Sequence, residues 1–186
     1  MLRGATIGGA AKEGLRAGAS ELTGLPLFGS GNYKGKYTEW SNHIDDVVND
    51  MVATENRTKI MVLGEGQGLI AKFVNKDPRR VTEFLDYRPR YLNYSDVPET
   101  AIPEHVLDET LEFNLFLIYR LHQKGFQFEV KGDFTSSVQA TSTWLREELK
   151  LLESLNAKWK NILQSEVDRV DQLPKWGRQR RGVFRT

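Results

Sequence analysis

Few residues in this chain have the type and spacing to do chemistry, and two glycine runs stand first among them. Gly29-Ser30-Gly31-Asn32-Tyr33-Lys34-Gly35-Lys36-Tyr37 looks superficially like a phosphate loop. Such a loop reads Gly-x-x-x-x-Gly-Lys-Ser/Thr, because backbone N–H groups cradle the phosphates, the lysine reaches them and the hydroxyl holds magnesium. With Gly35 and Lys36 in place, the first glycine would fall at Ser30 and the hydroxyl at Tyr37, so the match fails. The second run, Gly64-Glu65-Gly66-Gln67-Gly68, follows the apolar stretch Lys59–Leu63. It could open a dinucleotide site as strand, glycine turn and helix, or join two strands of a hairpin whose second arm is Leu69–Val74. The dinucleotide pattern Gly-x-Gly-x-x-Gly needs a third glycine at Leu69 and further strand-helix-strand units. The hairpin is therefore the expectation, with a small nucleotide-binding enzyme using Gly64–Gly68 kept as an alternative.

The remaining polar candidates are scattered. His43 lies beside Asp45 and Asp46 on what reads as a solvated helix face, and His105 and His122 sit near opposite ends of one predicted helix. The chain has no cysteine, which excludes disulfides, thiolate catalysis and zinc–thiolate centres. A hydrolytic or metal site needs convergent groups. No catalytic, cofactor-binding or metal-ligating residue is assigned, and the chain reads as non-enzymatic. Tyr87, Tyr91 and Tyr94 are interleaved with Arg79, Arg80, Arg88 and Arg90. That mixture can stack on bases and grip phosphates, or simply pack a loop.

Charge divides the 186 residues into three parts. Residues 1–37 form a glycine-rich arm of net charge +3 and residues 175–186 a basic tail of +5, leaving 38–174 at −7. Met-Leu-Arg at the start has a trace of a mitochondrial presequence, countered by Glu13 and Glu21; an assembly arm or tail is the better reading. Basic ends on an acidic body suit contact with polyphosphate or acidic neighbours. The candidate contacts are Lys175, Trp176, Arg178, Arg180, Arg181, Phe184 and Arg185. No apolar run approaches the ~20 residues that span a membrane.

The elements that would position these groups follow from periodicity. Thr38 to about Asn56 is a helix with Trp40, Ile44, Val47, Val48 and Met51 on one face. Asp77-Pro78 starts another, running through Val81, Phe84 and Leu85 to about Tyr87. Pro103 opens a central helix that ends at Lys124 and Gly125 and contains Phe113–Leu121, apolar on nearly every side. Phe126, Phe128 and Val130 alternate as a strand. Asp133–Ser137 then caps a long helix to about Asp171, with a stripe through Leu145, Leu149, Leu152, Leu155, Trp159, Ile162 and Val167. Its ~50 Å length would exceed a domain of this size, so Leu151, Leu155, Trp159 and Ile162 are expected at a subunit interface. The fold class expected is mainly α with a minor β part: a helical bundle with a long C-terminal helix and a small β-hairpin or sheet.

The order Val97-Pro98-Glu99, Ile102-Pro103-Glu104, buried helix Leu107–Leu121, Gly125 turn and charged helix with Leu145-Arg146-Glu147-Glu148-Leu149 resembles the head-to-tail connector (adaptor, neck) proteins of tailed bacteriophages. The resemblance covers about half the chain, residues 91–186, and rests on a pattern rather than a fixed string. It implies a homo-oligomeric ring in the virion, assembled in the host cytoplasm and contacting portal or tail proteins and, through the basic tail, DNA. The function expected is thus a non-enzymatic structural subunit without cofactor. A nucleic-acid-binding subunit of a ribonucleoprotein or organellar assembly is the other alternative.

Overall fold

A computed structural model describes residues 24–54, 58–64, 79–82 and 99–171. Their elements are α1 (Tyr37–Thr54), β1 (Ile60–Gly64), β2 (Arg80–Thr82), α2 (Glu104–Gln123), β3 (Gln127–Lys131), α3 (Thr143–Ser154), β4 (Trp159–Ile162) and α4 (Gln164–Asp171). The four strands form one sheet in the order β2-β1-β3-β4, and every pairing is parallel. The fold is therefore α/β, not the mainly helical bundle expected from periodicity.

The apolar run of β1 explains the difference. All five of its residues are buried, as befits a central parallel strand covered on both faces. Its two edges are occupied, by β2 on one side and β3 on the other, with Met61 paired to both Val81 and Phe128. No edge is left for an antiparallel partner, so β1 belongs to no hairpin; the expected second arm, Leu69–Val74, lies outside the described residues. The helix expected from Asp77-Pro78 is likewise corrected. Arg80–Thr82 is a strand with Val81 buried, because pairing with β1 overrides a local helix start.

The 50 Å C-terminal helix does not exist. Its first third is α3, which begins where Ser142 Oγ accepts the Leu145 N–H and stops at Asn156, whose φ of +52° is left-handed. The Ala157 N–H donates to Leu152 O and the Asn156 N–H to Glu153 O, the paired bonds of a Schellman stop. Beyond it the chain extends as β4. The central helix α2 ends the same way at Gly125, with Phe126 N–H on Leu121 O and Gly125 N–H on His122 O. Helix–stop–strand is thus used twice, α2 to β3 and α3 to β4.

The main core lies on one face of the sheet. Met61, Leu63, Val81, Phe128 and Val130 meet Trp40, Ile44 and Val48 of α1, Phe113 to Leu121 of α2, and Leu145, Leu149 and Leu152 of α3. The all-round burial of Leu115–Ile118 follows from α2 lying among these elements. On the opposite face a smaller cluster joins Ile60, Val62 and Ile162 to Val167 of α4, and Arg80 forms an ion pair with Glu129 there at 2.9 Å. Among the described residues no helix is long and apolar enough to cross a membrane.

Candidate functional site at the carboxyl edge of the sheet

In a sheet ordered β2-β1-β3-β4, the chain leaves β1 toward β2 and later returns to the other side of β1 as β3. Strand order reverses between β1 and β3. In open parallel sheets this reversal opens a crevice beyond the carboxyl ends of the two strands, where ligands bind. Gly64 ends β1 at this place, paired with Lys131, which ends β3. The run Gly64-Glu65-Gly66-Gln67-Gly68 therefore starts at the switch point, although 65–68 lie outside the described residues.

Gly64 is required by its surroundings. Its φ is +145°, and a Cβ there would come within 2.8 Å of Lys131 Cβ and 3.2 Å of the Lys131 backbone N and O. Gly132 follows with φ of +139°, and a Cβ on it would strike the Phe134 ring. β4 fastens the turn after β3. Asn161 Oδ1 accepts the Phe134 N–H at 3.2 Å, and Trp159 Nε1 and Asn161 Nδ2 donate to Phe134 O at 2.9 and 3.1 Å. Gly132 N–H donates to Ile162 O at 3.0 Å. Lys131 is thereby held, half-buried, between the ends of β1 and β4. Beyond β4, Glu166 accepts the Leu163 N–H at 3.0 Å. That bond holds its carboxyl below the usual carboxylate range.

The rim on the core side is built by α2. Its 20 residues extend about 30 Å, whereas the five residues of β3 extend about 17 Å. Because the Gly125 stop turns the chain back along the sheet, the first two turns of α2 overhang the carboxyl edge. Residues 28–37 wrap this overhang. Tyr33 Oη donates to His105 O at 2.7 Å, and Lys36 Nζ reaches Glu109 Oε1 at 2.5 Å. Glu112, fully buried, accepts from Tyr33 N–H at 3.2 Å and from Tyr37 Oη at 3.0 Å. Ser30 Oγ lies 2.8 Å from Asp108 Oδ2 and 3.2 Å from Glu112 Oε2. Burial, together with the neighbouring Glu112 carboxylate, pushes the Tyr37 hydroxyl up to about 12.

The residues expected at a subunit interface fall elsewhere. Ile162 is buried between β4 and α4, and Trp159 and Leu151 pack half-buried against the main core. Leu155 is half-buried at the end of α3. No single helix presents the four together. Lys175, Trp176, Arg178, Arg180, Arg181, Phe184 and Arg185 lie outside the described residues, as do Tyr87, Tyr91 and Tyr94. Among the described residues no group of three or more His, Asp or Glu could hold a metal; His122 stacks on Phe128 with centroids 6.4 Å apart. Sequence reasoning gives Glu112 no role and reads Glu109, with Glu104 and Asp108, only as acids favourably placed near the positive end of the helix.

Comparison with family models, with curated proteins and with solved structures returned no match.

Proposed function

We propose that this chain is a nucleoside-cofactor-binding α/β protein, and that the cofactor is S-adenosylmethionine used for methyl transfer. The observation that carries the reading is the position of Gly64: it ends the central strand β1 at the reversal of strand order and opens a Gly-x-Gly-x-Gly run. Glycines there allow close backbone approach to a ligand. A ribose-binding acid is expected about 20 residues further on, at the end of the next strand. Glu83 directly follows Thr82, the last residue of β2, which is the neighbour of β1.

The missing groups narrow the cofactor. There is no Lys-Ser/Thr pair for a triphosphate and no glycine at Leu69 for a pyrophosphate. A nucleoside lacking both phosphates fits this donor set. S-adenosylmethionine supplies an activated methyl group when bound. Lys131, at the carboxyl end of β3 beside Gly64, then holds an anionic or hydroxyl-bearing acceptor by charge or hydrogen bond. This reading takes up the enzyme alternative in place of a non-enzymatic subunit. The connector reading drew on a long C-terminal helix, which the described residues break at Asn156; what remains in its support is the glycine-rich arm, the Gly125 turn after the buried helix and the basic tail.

Titration calorimetry of the full chain with S-adenosylmethionine, NAD and ATP tests the proposal. Binding of the first alone, lost in Gly66→Val with the fold intact, is the expected result. Binding of NAD or ATP in its place, or none of the three, overturns it.

A further inference from the structure

Glu112 is a carboxylate that the proposed methyl transfer does not use, yet it is fully buried. An isolated buried charge is costly unless hydrogen-bonded, and a leucine at such a helix position would ordinarily pack at least as well. Its partners are unusual in one respect. The Tyr33 N–H, the Tyr37 hydroxyl and the Ser30 hydroxyl all come from residues 30–37, some 75 to 82 positions away in sequence. Gly29 packs its backbone against the same residue, with space for a Cβ only at contact distance, 3.6 Å from Glu112 Cβ. At either end Phe28 and Tyr37 are buried in the core, whereas Gly29, Ser30, Asn32, Lys34 and Gly35 between them are exposed. The loop between its two aromatic anchors is therefore attached to α2 through these polar contacts, Glu112 at their centre and the Lys36–Glu109 pair beside it, together with the half-buried Tyr33 ring against the core.

We infer that Glu112 is a positioning residue: its carboxylate fixes the loop 29–36 against the overhanging end of α2, so that the loop forms one rim of the ligand crevice. The inference rests on the proposed cofactor site for what the crevice holds. Its own content is that the buried charge serves the conformation of the loop rather than the stability of the core. Removing the carboxylate leaves Phe28 and Tyr37 seated and frees what lies between them.

Amide hydrogen exchange on the full chain, with and without S-adenosylhomocysteine as probe, tests this. In Glu112→Gln, amides of residues 30–36 should exchange at least about tenfold faster, while those of β1 and β3 keep their protection. In the wild type, the probe should slow exchange at 30–36. Equal acceleration in loop and strands, or none, shows a merely structural glutamate and overturns the inference. Probe binding without protection of 30–36 overturns it too, while leaving the cofactor reading standing; failure of the probe to bind overturns the cofactor reading and the rim with it. Should Glu112→Gln not fold, Tyr37→Phe removes one donor with little change of shape. The same local acceleration is expected there, and its absence counts against the inference.

Discussion

The Tyr37 hydroxyl bridges two distant parts of the chain, accepting the Phe28 N–H at 3.1 Å while donating to Glu112 Oε1 at 3.0 Å. Its raised pKa of about 12 has burial as its first cause. A raised folded-state value means that the native state holds this proton longer than the unfolded chain does. The contribution is complete below pH 10 and is lost as pH rises from about 10 to about 12. Urea unfolding at stepped pH should show this loss, and Tyr37→Phe should reduce it.

Asn156 discriminates a broken helix from a continuous one. In a left-handed stop, Asn156→Gly should be neutral or slightly stabilising, and Asn156→Val should cost about 1–2 kcal/mol. Inside an unbroken helix the glycine variant would instead cost a few tenths of a kcal/mol, and the valine variant would be close to neutral. Denaturant midpoints of the two variants decide between these patterns.

Gly64→Ala places a methyl group against the Lys131 backbone at the switch point. Overpacking and a φ of +145° together should cost roughly 2–4 kcal/mol, read by chemical denaturation. Cofactor affinity, measured below the denaturation midpoint, should fall as well.

Arg80 and Glu129 tie β2 to β3 across the face of β1. Arg80→Ala should be more damaging than the double variant with Glu129→Leu, because the single change leaves a nearly buried carboxylate without its guanidinium. A double-mutant cycle by thermal unfolding measures the difference.

Much of the helical part of the fold was legible in the sequence. Trp40, Ile44 and Val48 keep a 3.6-residue period and are buried together on α1, and Phe128 and Val130 alternate as a strand does. The sheet was not legible, because its partners are remote. Ile60–Leu63 carries no alternation, and an unbroken apolar run fits a central parallel strand better than a hairpin arm. β2 has three residues, too few for periodicity to register. Trp159, Ile162 and Val167 continue the spacing of Leu145, Leu149 and Leu152 closely enough to disguise the stop at Asn156. At the site, the glycine run was seen but its location at a strand-order reversal depends on tertiary pairing. Glu112 carries no sequence signal of its burial, since helix propensity says nothing about which face of α2 is covered.

The central strand is the earliest made and among the last completed. β1 pairs Ile60 with Gln127, 67 positions away, whereas β3 meets β4 over 31 positions, Phe128 to Trp159. Closing the longer separation costs more entropy, and a chain emerging from the ribosome offers residues 60–64 well before 127–131 exist. During that interval the most apolar strand of the protein stands with unmatched amides on at least one side, open to pairing with another copy. Slow translation between these segments, or their expression apart, should lower the yield of dissolved chain, and supplying the later strand promptly should restore it.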